Sequence, residues 1–264
     1  MEELNKLLNK ILDKKELRSL NKEYAKKILD ETILENEPLY ENIAKKGFNE
    51  RSKEYKELLK IVRKKLRTYF GSFNAAISNN KKKNLGENIV FKHLSTRERA
   101  EHIDEFVEFV GKTKSILDLG CGYNPYFYKK FLGQPKYLAS DISDDLKHIK
   151  KWFESENIDG DVVKLDLVNK EDIAKLKDIS KEYETVFMLK LLDPLENQKR
   201  NITKKIFENI HSKYIIVSFS TMSIGGKTPI KSERSWFYNI IRGENFEEKV
   251  IGTEKYIKIT GFSL

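Results

Sequence analysis

The apolar positions in the first part of the chain follow a helical repeat. Between residues 4 and 12 they are separated alternately by three positions and by one, which places them on one face of an amphipathic helix. Residues 55–70 repeat this spacing with a larger apolar face. We therefore predict that residues 1–88 form a helical domain whose core is built from these faces.

After residue 110 the pattern changes to short apolar segments that alternate with helical ones. The predicted strands are 115–119, 136–140, 161–165, 185–190 and 213–219, and helices are predicted at 143–155 and 199–210. This alternation indicates a parallel sheet covered on both faces. Two further strands around Gly252 and Thr253 predict an antiparallel hairpin at the sheet edge. Residues 89–264 are therefore predicted to form an α/β domain with the class I, Rossmann-like methyltransferase fold.

The segment between these two parts combines a loop with a helix start. The stretch "SNNKKKNLGEN" (residues 78–88) is rich in residues that break regular structure and predicts a loop or hinge. Ser95 and Glu98 then have the spacing of a capping box. Apolar residues at helical spacing follow, so we predict one helix from about Thr96 to Val110, ending at Gly111.

Composition limits the class of protein. Hydrophobic residues make up 39% of the 264 positions and charged residues 34%, and no apolar run approaches the roughly 20 residues needed to cross a bilayer. The N-terminal sequence does not resemble a secretory signal. A single cysteine excludes an internal disulfide and is typical of a reducing cytoplasm. The four histidines lack metal-ligand spacing, so we expect no structural zinc. Separately, we expect the protein to be a monomer.

Positive charge is concentrated in one part of the chain. The formal net charge is +9, and residues 51–100 contain 14 basic against 4 acidic residues. Such a cluster is typical of a protein that binds a polyanion such as RNA, although a solvated helix face in a lysine-rich protein gives the same pattern. The candidate RNA-binding residues of this cluster are Lys56, Lys60, Arg63, Lys64, Arg67, Lys81, Lys82 and Lys83.

The segment "SILDLGCGYNP" carries the strongest chemical signal. Gly120 and Gly122 follow the first predicted strand of the sheet, where glycine permits positive φ and close approach of a ligand. A strand followed by two such glycines also suits NAD, FAD or a plain tight turn. Dinucleotide sites usually have a third glycine for the pyrophosphate, but this chain has Asn124 and Pro125 there. The dinucleotide interpretation is therefore disfavoured.

Two acidic residues extend this signal to S-adenosylmethionine. Asp141 ends the second strand, where a carboxylate can accept hydrogen bonds from both ribose hydroxyls. Asp166 follows the third strand, where a carboxylate can meet an adenine amino group while Leu167 packs beside it. Either acid alone is typical of an ordinary strand end or helix cap. In register with the glycines, the two acids predict an adenosylmethionine site.

Four blocks of the chain, in order, resemble the aminoglycoside-resistance 16S ribosomal RNA methyltransferases, which methylate N7 of a guanine. These blocks are "HLSTRER", "LDLGCGYNP", "LKLLDPLENQ" and "SFSTMSIGG". The resemblance implies that Thr96 and Arg97 lie near the methionine carboxylate, and that Ser218 and residues 223–227 face the target base. The cofactor positions predicted in this way are Thr96, Arg97, Asp118, Gly120, Cys121, Gly122, Asp141, Ile142, Asp166, Leu167, Leu189 and Gln198. The resemblance adds Ser223 and Lys227 to the RNA-binding candidates.

The chain also departs from this family. Asp193 stands where an apolar or small residue is expected, and Ser220 stands where proline is common. Residues 227–242 also match the family less well. A housekeeping or archaeal-type relative that acts on ribosomal or transfer RNA is therefore an open alternative to a resistance enzyme. Two other classes remain open: a methyltransferase that acts on transfer RNA, a small molecule or a protein, and an RNA-binding protein without catalysis.

No residue is predicted to act as a catalytic base, because guanine N7 already carries a lone pair. Cys121 is interpreted as a small packed residue. Tyr123, Tyr126 and Trp236 are candidate stacking platforms for an unstacked base, or core residues.

Overall fold

The computed structural model describes residues 2–18, 20–68, 94–223 and 228–262. The chain forms two compact units, Met1–Ala76 and Ile77–Leu264. The division falls within residues 69–93, which lie outside the described residues together with the predicted loop 78–88. The predicted domain boundary between residues 88 and 89 therefore stays a prediction.

The described residues of the first unit contain four α-helices: α1 (Glu2–Leu12), α2 (Lys22–Glu35), α3 (Glu37–Lys45) and α4 (Lys53–Leu66). Local sequence starts two of them, because the Asn21 side chain accepts from the backbone N–H groups of Glu23 and Tyr24, and Ser52 accepts from that of Tyr55. The predicted apolar faces form the core of the unit. The fully or nearly buried residues of α1 and α4 are Leu7, Leu8, Ile11, Tyr55, Leu58, Leu59, Val62 and Leu66.

The second unit is built on a seven-stranded sheet. Its strands are β1 (Ser115–Leu119), β2 (Lys136–Asp141), β3 (Gly160–Lys164), β4 (Thr185–Leu189), β5 (Tyr214–Ser220), β6 (Asn245–Ile251) and β7 (Glu254–Thr260). Their order is β3-β2-β1-β4-β5-β7-β6. The first five strands are parallel, and β6 and β7 form the antiparallel hairpin that the sequence predicts. The predicted class I methyltransferase topology is confirmed.

Helices cover both faces of this sheet. They are α5 (Leu94–Ala100), α6 (Ile103–Val110), α7 (Leu146–Ser155), α8 (Lys170–Ile179), α9 (Leu192–Gln198), α10 (Ile202–Phe207) and α11 (Ser235–Ile240). Neighbouring residues of one strand pack into opposite cores, since Leu117 and Val186 lie in one apolar cluster and Ile116 and Phe187 in the other. Alternation of this kind buries the central strands on both sides, as their continuous apolar sequences predict.

The prediction of one helix from Thr96 to Val110 is wrong. Helix α5 ends at Ala100, and α6 begins at Ile103. At the break the His102 N–H donates to the carbonyl of Arg99 at 3.0 Å, so the chain makes a tighter turn than an α-helix. Arg99, the residue before the last of α5, is 3% exposed.

Candidate active site

The candidate site lies at the carboxyl edge of the parallel strands. Strand β1 has β2 on one side and β4 on the other, so the chain order reverses next to it. In open α/β sheets this reversal leaves a crevice outside the carboxyl ends of the strands, where ligands bind. Residues 120–122 and Asp141 stand at this edge on the β1 and β2 side, and Leu189 and Ser220 end β4 and β5.

The turn after β1 needs its glycines. Gly120 and Gly122 have φ values of +64° and +50°, in the left-handed region that glycine adopts without strain. A Cβ on Gly120 would lie 2.6 Å from Cδ1 of Leu191. The backbone of this turn therefore approaches the segment after β4 more closely than a side chain would permit.

Asp141 joins the second strand to this turn. Its Oδ2 accepts from the Gly122 N–H at 3.1 Å, and its Oδ1 accepts from the Ser143 N–H at 2.9 Å. Burial raises the pKa of Asp141, and these backbone donors oppose the shift. Each oxygen retains a second lone pair, so the carboxylate can still accept from a pair of ligand hydroxyls. Asp141 thus stands at the end of β2, and its role as a ribose acceptor stays a prediction.

Asp118 holds an unsatisfied buried oxygen beside the same turn. Its Oδ2 accepts from the hydroxyl of Tyr137 at 2.6 Å, whereas its Oδ1 has no hydrogen-bond partner within the described residues. Burial raises the pKa of Asp118 to about 7, against the opposing effects of the Tyr137 hydroxyl, the charge of Arg99 and the neighbouring Asn124 side chain. A buried acceptor of this kind fits a ligand that brings an ammonium group, and S-adenosylmethionine carries one.

Replacing Asp118 with asparagine should remove a pH-dependent part of the stability. The folded-state pKa of about 7 exceeds the unfolded value near 3.9, so the folded protein binds this proton more tightly and loses stability as pH rises between them. Between pH 5 and pH 7 the parent protein should lose about 2 kcal/mol relative to Asp118→Asn. Urea unfolding of both proteins at the two pH values measures this difference. Equal pH dependence would contradict it, and Asp178→Asn, which removes an exposed acid, is the control.

The remaining predicted cofactor residues lie near the same edge. Asp166 comes two residues after β3, and its Oδ1 accepts from the Val168 N–H at 3.0 Å, which shapes the turn into α8. Leu167 is 5% exposed. Leu189 ends β4, and Gln198 is the last residue of α9. Asp166 and Leu189 therefore stand at the ends of β3 and β4, and the cofactor roles of all four residues stay predictions.

A buried network of charges supports the site, and the sequence did not reveal it. Arg99 donates to Oε1 of Glu254 at 2.6 Å and to the Tyr256 hydroxyl at 3.0 Å. The Lys190 ammonium lies 2.7 Å from Oε2 of Glu98 and 3.5 Å from Oε2 of Glu254. Arg99, Lys190 and Glu254 are each less than 10% exposed. The network therefore joins α5, the end of β4 and β7 inside the protein.

This network also reaches the glycine turn. Arg99 donates to Oδ1 of Asn124, and Ser218 donates to Oε1 of Glu254. Asn124 is thus used to hold an arginine, which explains an asparagine where a dinucleotide site would have glycine. Arg97, the arginine that the sequence assigned to the cofactor carboxylate, is half-buried on the same helix, and Thr96 is 1% exposed. The assignment of Arg97 and Thr96 to the cofactor carboxylate remains a prediction.

The basic candidates of α4 differ in their surroundings. Arg63 donates to the carbonyl of Lys10 at 2.6 Å, and Arg67 forms an ion pair with Glu16 at 2.7 Å. The other three side chains, those of Lys56, Lys60 and Lys64, are exposed on one side of the helix. Lys81, Lys82, Lys83 and Lys227 lie outside the described residues.

The aromatic candidates are packed side chains. The Tyr123 hydroxyl donates to Asp145 at 3.0 Å, and the Tyr126 ring lies 4.9 Å from that of Trp152. Trp236 packs edge-on against Phe219, with 6.1 Å between ring centroids. Cys121 is 1% exposed, and burial raises the pKa of its thiol well above the usual range. The thiol is therefore unsuited to act as a nucleophile.

The described residues contain neither a membrane-spanning helix nor a cluster of metal ligands. No helix there combines the length and apolarity of a membrane span. No group of three or more acidic, histidine or cysteine side chains in the same part of the chain is arranged to hold a metal ion.

Comparison with known protein families decides the identity of the chain. The family described as "Ribosomal RNA methyltransferase (FmrO)" matches residues 53–255. The chain belongs to this family. The match includes the glycine turn, both acidic strand ends, α4, and Arg99, Lys190 and Glu254 of the buried network, and it ends one residue before Tyr256.

Individual members of the family resemble parts of the chain. A 16S rRNA (guanine(1405)-N(7))-methyltransferase of Micromonospora rosea is 27% identical over 144 residues, which cover 52% of this chain and 50% of that protein. An enzyme of the same description from Proteus mirabilis is 26% identical over 234 residues, which cover 75% of this chain and 78% of the relative. The chain thus spans about half the length of the first of these curated relatives.

Solved structures of the family share the fold. The 16S rRNA methyltransferase RmtF in complex with S-adenosyl-L-homocysteine superposes with a TM-score of 0.72 at 22% identity and covers 98% of this chain and 99% of its own. The 16S rRNA methylase ArmA gives a TM-score of 0.54 at 28% identity, covering 69% of this chain and 94% of its own. The class I architecture is therefore that of the ribosomal RNA methyltransferases.

Proposed function

We propose that this protein transfers a methyl group from S-adenosylmethionine to N7 of a guanine in 16S ribosomal RNA. The observation that carries the proposal is the arrangement of the glycine turn, Asp118 and Asp141 at the carboxyl edge of the sheet, in a chain of the ribosomal RNA methyltransferase family. The relatives that match the chain are described as guanine-N7 methyltransferases, which supports the choice of atom. Because these relatives are described as acting on 16S rRNA, we propose a cytoplasmic location, and a monomeric state is proposed beside it.

Each residue at the carboxyl edge of the sheet would bind a different part of the cofactor. Asp141 would accept from the ribose hydroxyls, Asp166 would meet the adenine amino group, and the unpartnered Oδ1 of Asp118 would accept from the ammonium. Thr96 and Arg97 would lie by the carboxylate, a charge that an arginine fork suits. Apolar contact would come from Ile142, Leu167 and Leu189, with Gln198 at the pocket wall. The bound cofactor supplies an electrophilic methyl group on its sulfonium.

The protein would contribute to this reaction by positioning the base and by excluding water from the site. Guanine N7 has a lone pair in the plane of the ring, so no proton must leave before the methyl is transferred. Placing the base in line with the methyl and excluding water contributes several kcal/mol, with no general base required. This agrees with the buried, high-pKa thiol of Cys121, the one cysteine of the chain.

The exposed lysines of α4 are proposed to bind RNA phosphates. Lys56, Lys60 and Lys64 share one side of the helix, whereas Arg63 and Arg67 are engaged within the protein. Changing the three lysines to glutamate should weaken binding to small ribosomal subunits and reduce the slope of log affinity against log salt by about one per lost phosphate contact. Filter binding at several salt concentrations measures both quantities.

A matched triple variant controls for charge alone. Lys170, Lys177 and Lys181 are exposed lysines in or just after α8, and changing them to glutamate alters the net charge by the same amount. If the two triple variants bind equally, the α4 lysines are not the RNA contact. Unchanged circular dichroism of the α4 variant shows that the helix still forms.

One experiment tests the proposed function as a whole. The protein is incubated with labelled S-adenosylmethionine and, separately, with intact small subunits, total RNA and transfer RNA, and the labelled nucleotide is mapped by mass spectrometry. Label on N7 of a guanine in 16S RNA is the expected result. Label only on transfer RNA, or on no RNA despite measurable cofactor binding by calorimetry, would refute the proposal.

A further inference from the structure

Arg234 makes an unusual set of contacts for an arginine outside the cofactor edge. Its Nε lies 3.2 and 3.0 Å from the two carboxylate oxygens of Asp193, and its Nη2 lies 2.9 Å from Oδ2. The same Nη2 donates to the carbonyl of Ser220 at 2.9 Å. The guanidinium stacks 4.6 Å from the centre of the Phe219 ring, and its side chain is 9% exposed.

These contacts join two segments that leave neighbouring strands. Asp193 is in α9, which follows β4, and Ser220 ends β5. Both are also positions at which the sequence departs from the pattern expected of the resistance methyltransferases, and Arg234 itself lies in the segment 227–242, which matches that pattern less well. Arg234 therefore contacts both of these residues, through the carboxylate of Asp193 and the backbone carbonyl of Ser220.

Arg234 also closes a short paired loop. Residues 221–223 and 228–230 pair in an antiparallel manner, with the Ser223 N–H donating to the Thr228 carbonyl at 2.7 Å and the Ile230 N–H donating to that of Thr221 at 2.8 Å. The Thr221 N–H donates to the Thr253 carbonyl at 2.9 Å. The pairing begins directly after β5 and ends at Ile230, so the guanidinium links its start to α9 through the Ser220 carbonyl, and its end is joined to Arg234 through residues 231–233.

The position of this loop points to the methyl acceptor. The proposed cofactor residues 120–122, Asp141 and Asp166 follow β1, β2 and β3, on one side of the strand reversal. Asp193 and Ser220 follow β4 and β5, on the other side of β1. With most of the proposed cofactor residues on the first side, and Leu189 and Gln198 extending the cofactor site to β4 and α9, the part of the same carboxyl edge beyond β4 remains for the base that receives the methyl group.

We propose that Arg234 is a positioning residue for the methyl acceptor: by binding Asp193 and the Ser220 carbonyl together, it fixes residues 221–223 and 228–230 at the acceptor side of the site. The inference rests on the proposed function. An arginine suits this task because its planar fork binds a carboxylate and a carbonyl at once, which a lysine cannot do with the same geometry. Arg234 itself has φ +49°, so the backbone as well as the side chain is committed to this arrangement.

The variants follow from this geometry. Arg234→Asn removes the guanidinium but retains a residue that tolerates positive φ, and Asp193→Asn weakens the fork from the half-exposed partner. Arg242→Asn removes an exposed arginine two residues after α11 and serves as the matched control. Each variant is tested as full-length protein for kcat and KM on small ribosomal subunits, for S-adenosylhomocysteine affinity by calorimetry, and for amide hydrogen exchange.

We expect Arg234→Asn and Asp193→Asn, the two anchor variants, each to lower kcat about 10- to 100-fold, because a displaced loop misaligns the base. Cofactor affinity should stay within about twofold, and the amides of Ser223 and Ile230 should exchange faster. The double variant should lose no more than the stronger single variant, since both changes break one contact. A role in stability alone would lower the unfolding temperature and leave kcat and the exchange of these two amides unchanged.

The outcomes separate this inference from the proposed function. If the parent protein methylates 16S RNA and both anchor variants keep the kcat of Arg242→Asn, only the role of Arg234 is refuted. If the parent protein methylates no ribosomal RNA, the proposed function is refuted and the inference with it. Should Arg234→Asn fail to fold, Asp193→Asn decides, since its side chain is 38% exposed.

Discussion

Replacing Glu254 with alanine is expected to lower the free energy of unfolding by about 3–5 kcal/mol. Glu254 is 2% exposed and pairs with Arg99 and Lys190, both buried. Burial acts to raise the pKa of Glu254, but the attraction of these two cations outweighs it and leaves the pKa lowered. Removing the carboxylate leaves two positive charges in the interior with one remaining acidic partner, Glu98.

Urea unfolding at neutral pH measures this loss. Glu247→Ala is the control, since Glu247 pairs with Lys258 at 3.4 Å on the neighbouring strand but is 61% exposed, and it should cost less than 1 kcal/mol. Glu254→Gln keeps the shape and removes the charge, so it should lie close to the alanine variant. A loss no greater than that of the control would show that the buried network does not stabilise the fold.

The pH dependence of this contribution has a defined sign. Because the folded-state pKa of Glu254 lies below the unfolded value near 4.3, its stabilisation is present above that value and is lost as pH falls through the folded pKa. Glu254→Gln should therefore flatten the acid limb of the stability curve, whereas Asp118→Asn acts between pH 4 and pH 7.

The second large effect is expected on cofactor affinity. Asp141→Ala should weaken binding of S-adenosylhomocysteine by about 2–3 kcal/mol, or 30- to 150-fold in Kd. The change removes the acceptor for the Gly122 and Ser143 N–H groups as well as for the ribose hydroxyls. The glycine turn and the ligand therefore lose the same partner.

Calorimetry on the two proteins tests this directly. Asp144→Ala removes the exposed carboxylate three positions further on, which pairs with Lys164 at 3.3 Å, and should leave Kd within about twofold. If Asp141→Ala binds the cofactor normally, the ribose does not lie at the end of β2. That result would count against the arrangement proposed for the whole edge.

Local patterns were sufficient to predict the frame of the protein. The strands β1 to β5, the hairpin of β6 and β7, and the apolar faces of α1 and α4 each follow from residues within one short segment. The glycine turn and Asp141 could also be placed from sequence, because parallel strands bring their carboxyl ends to one edge. The break between α5 and α6 could not, because the local apolar spacing of residues 96–110 is equally compatible with one continuous helix.

Only the tertiary structure decided which charges are buried. Glu254 and Tyr256 lie 155 and 157 residues after Arg99, Lys10 lies 53 before Arg63, and Arg234 lies 41 after Asp193. The sequence shows equally plausible surface charges at all of these positions. A charge is stable inside a protein only when a partner reaches it, and the order of strands, which places β7 beside β5, determines which partner does.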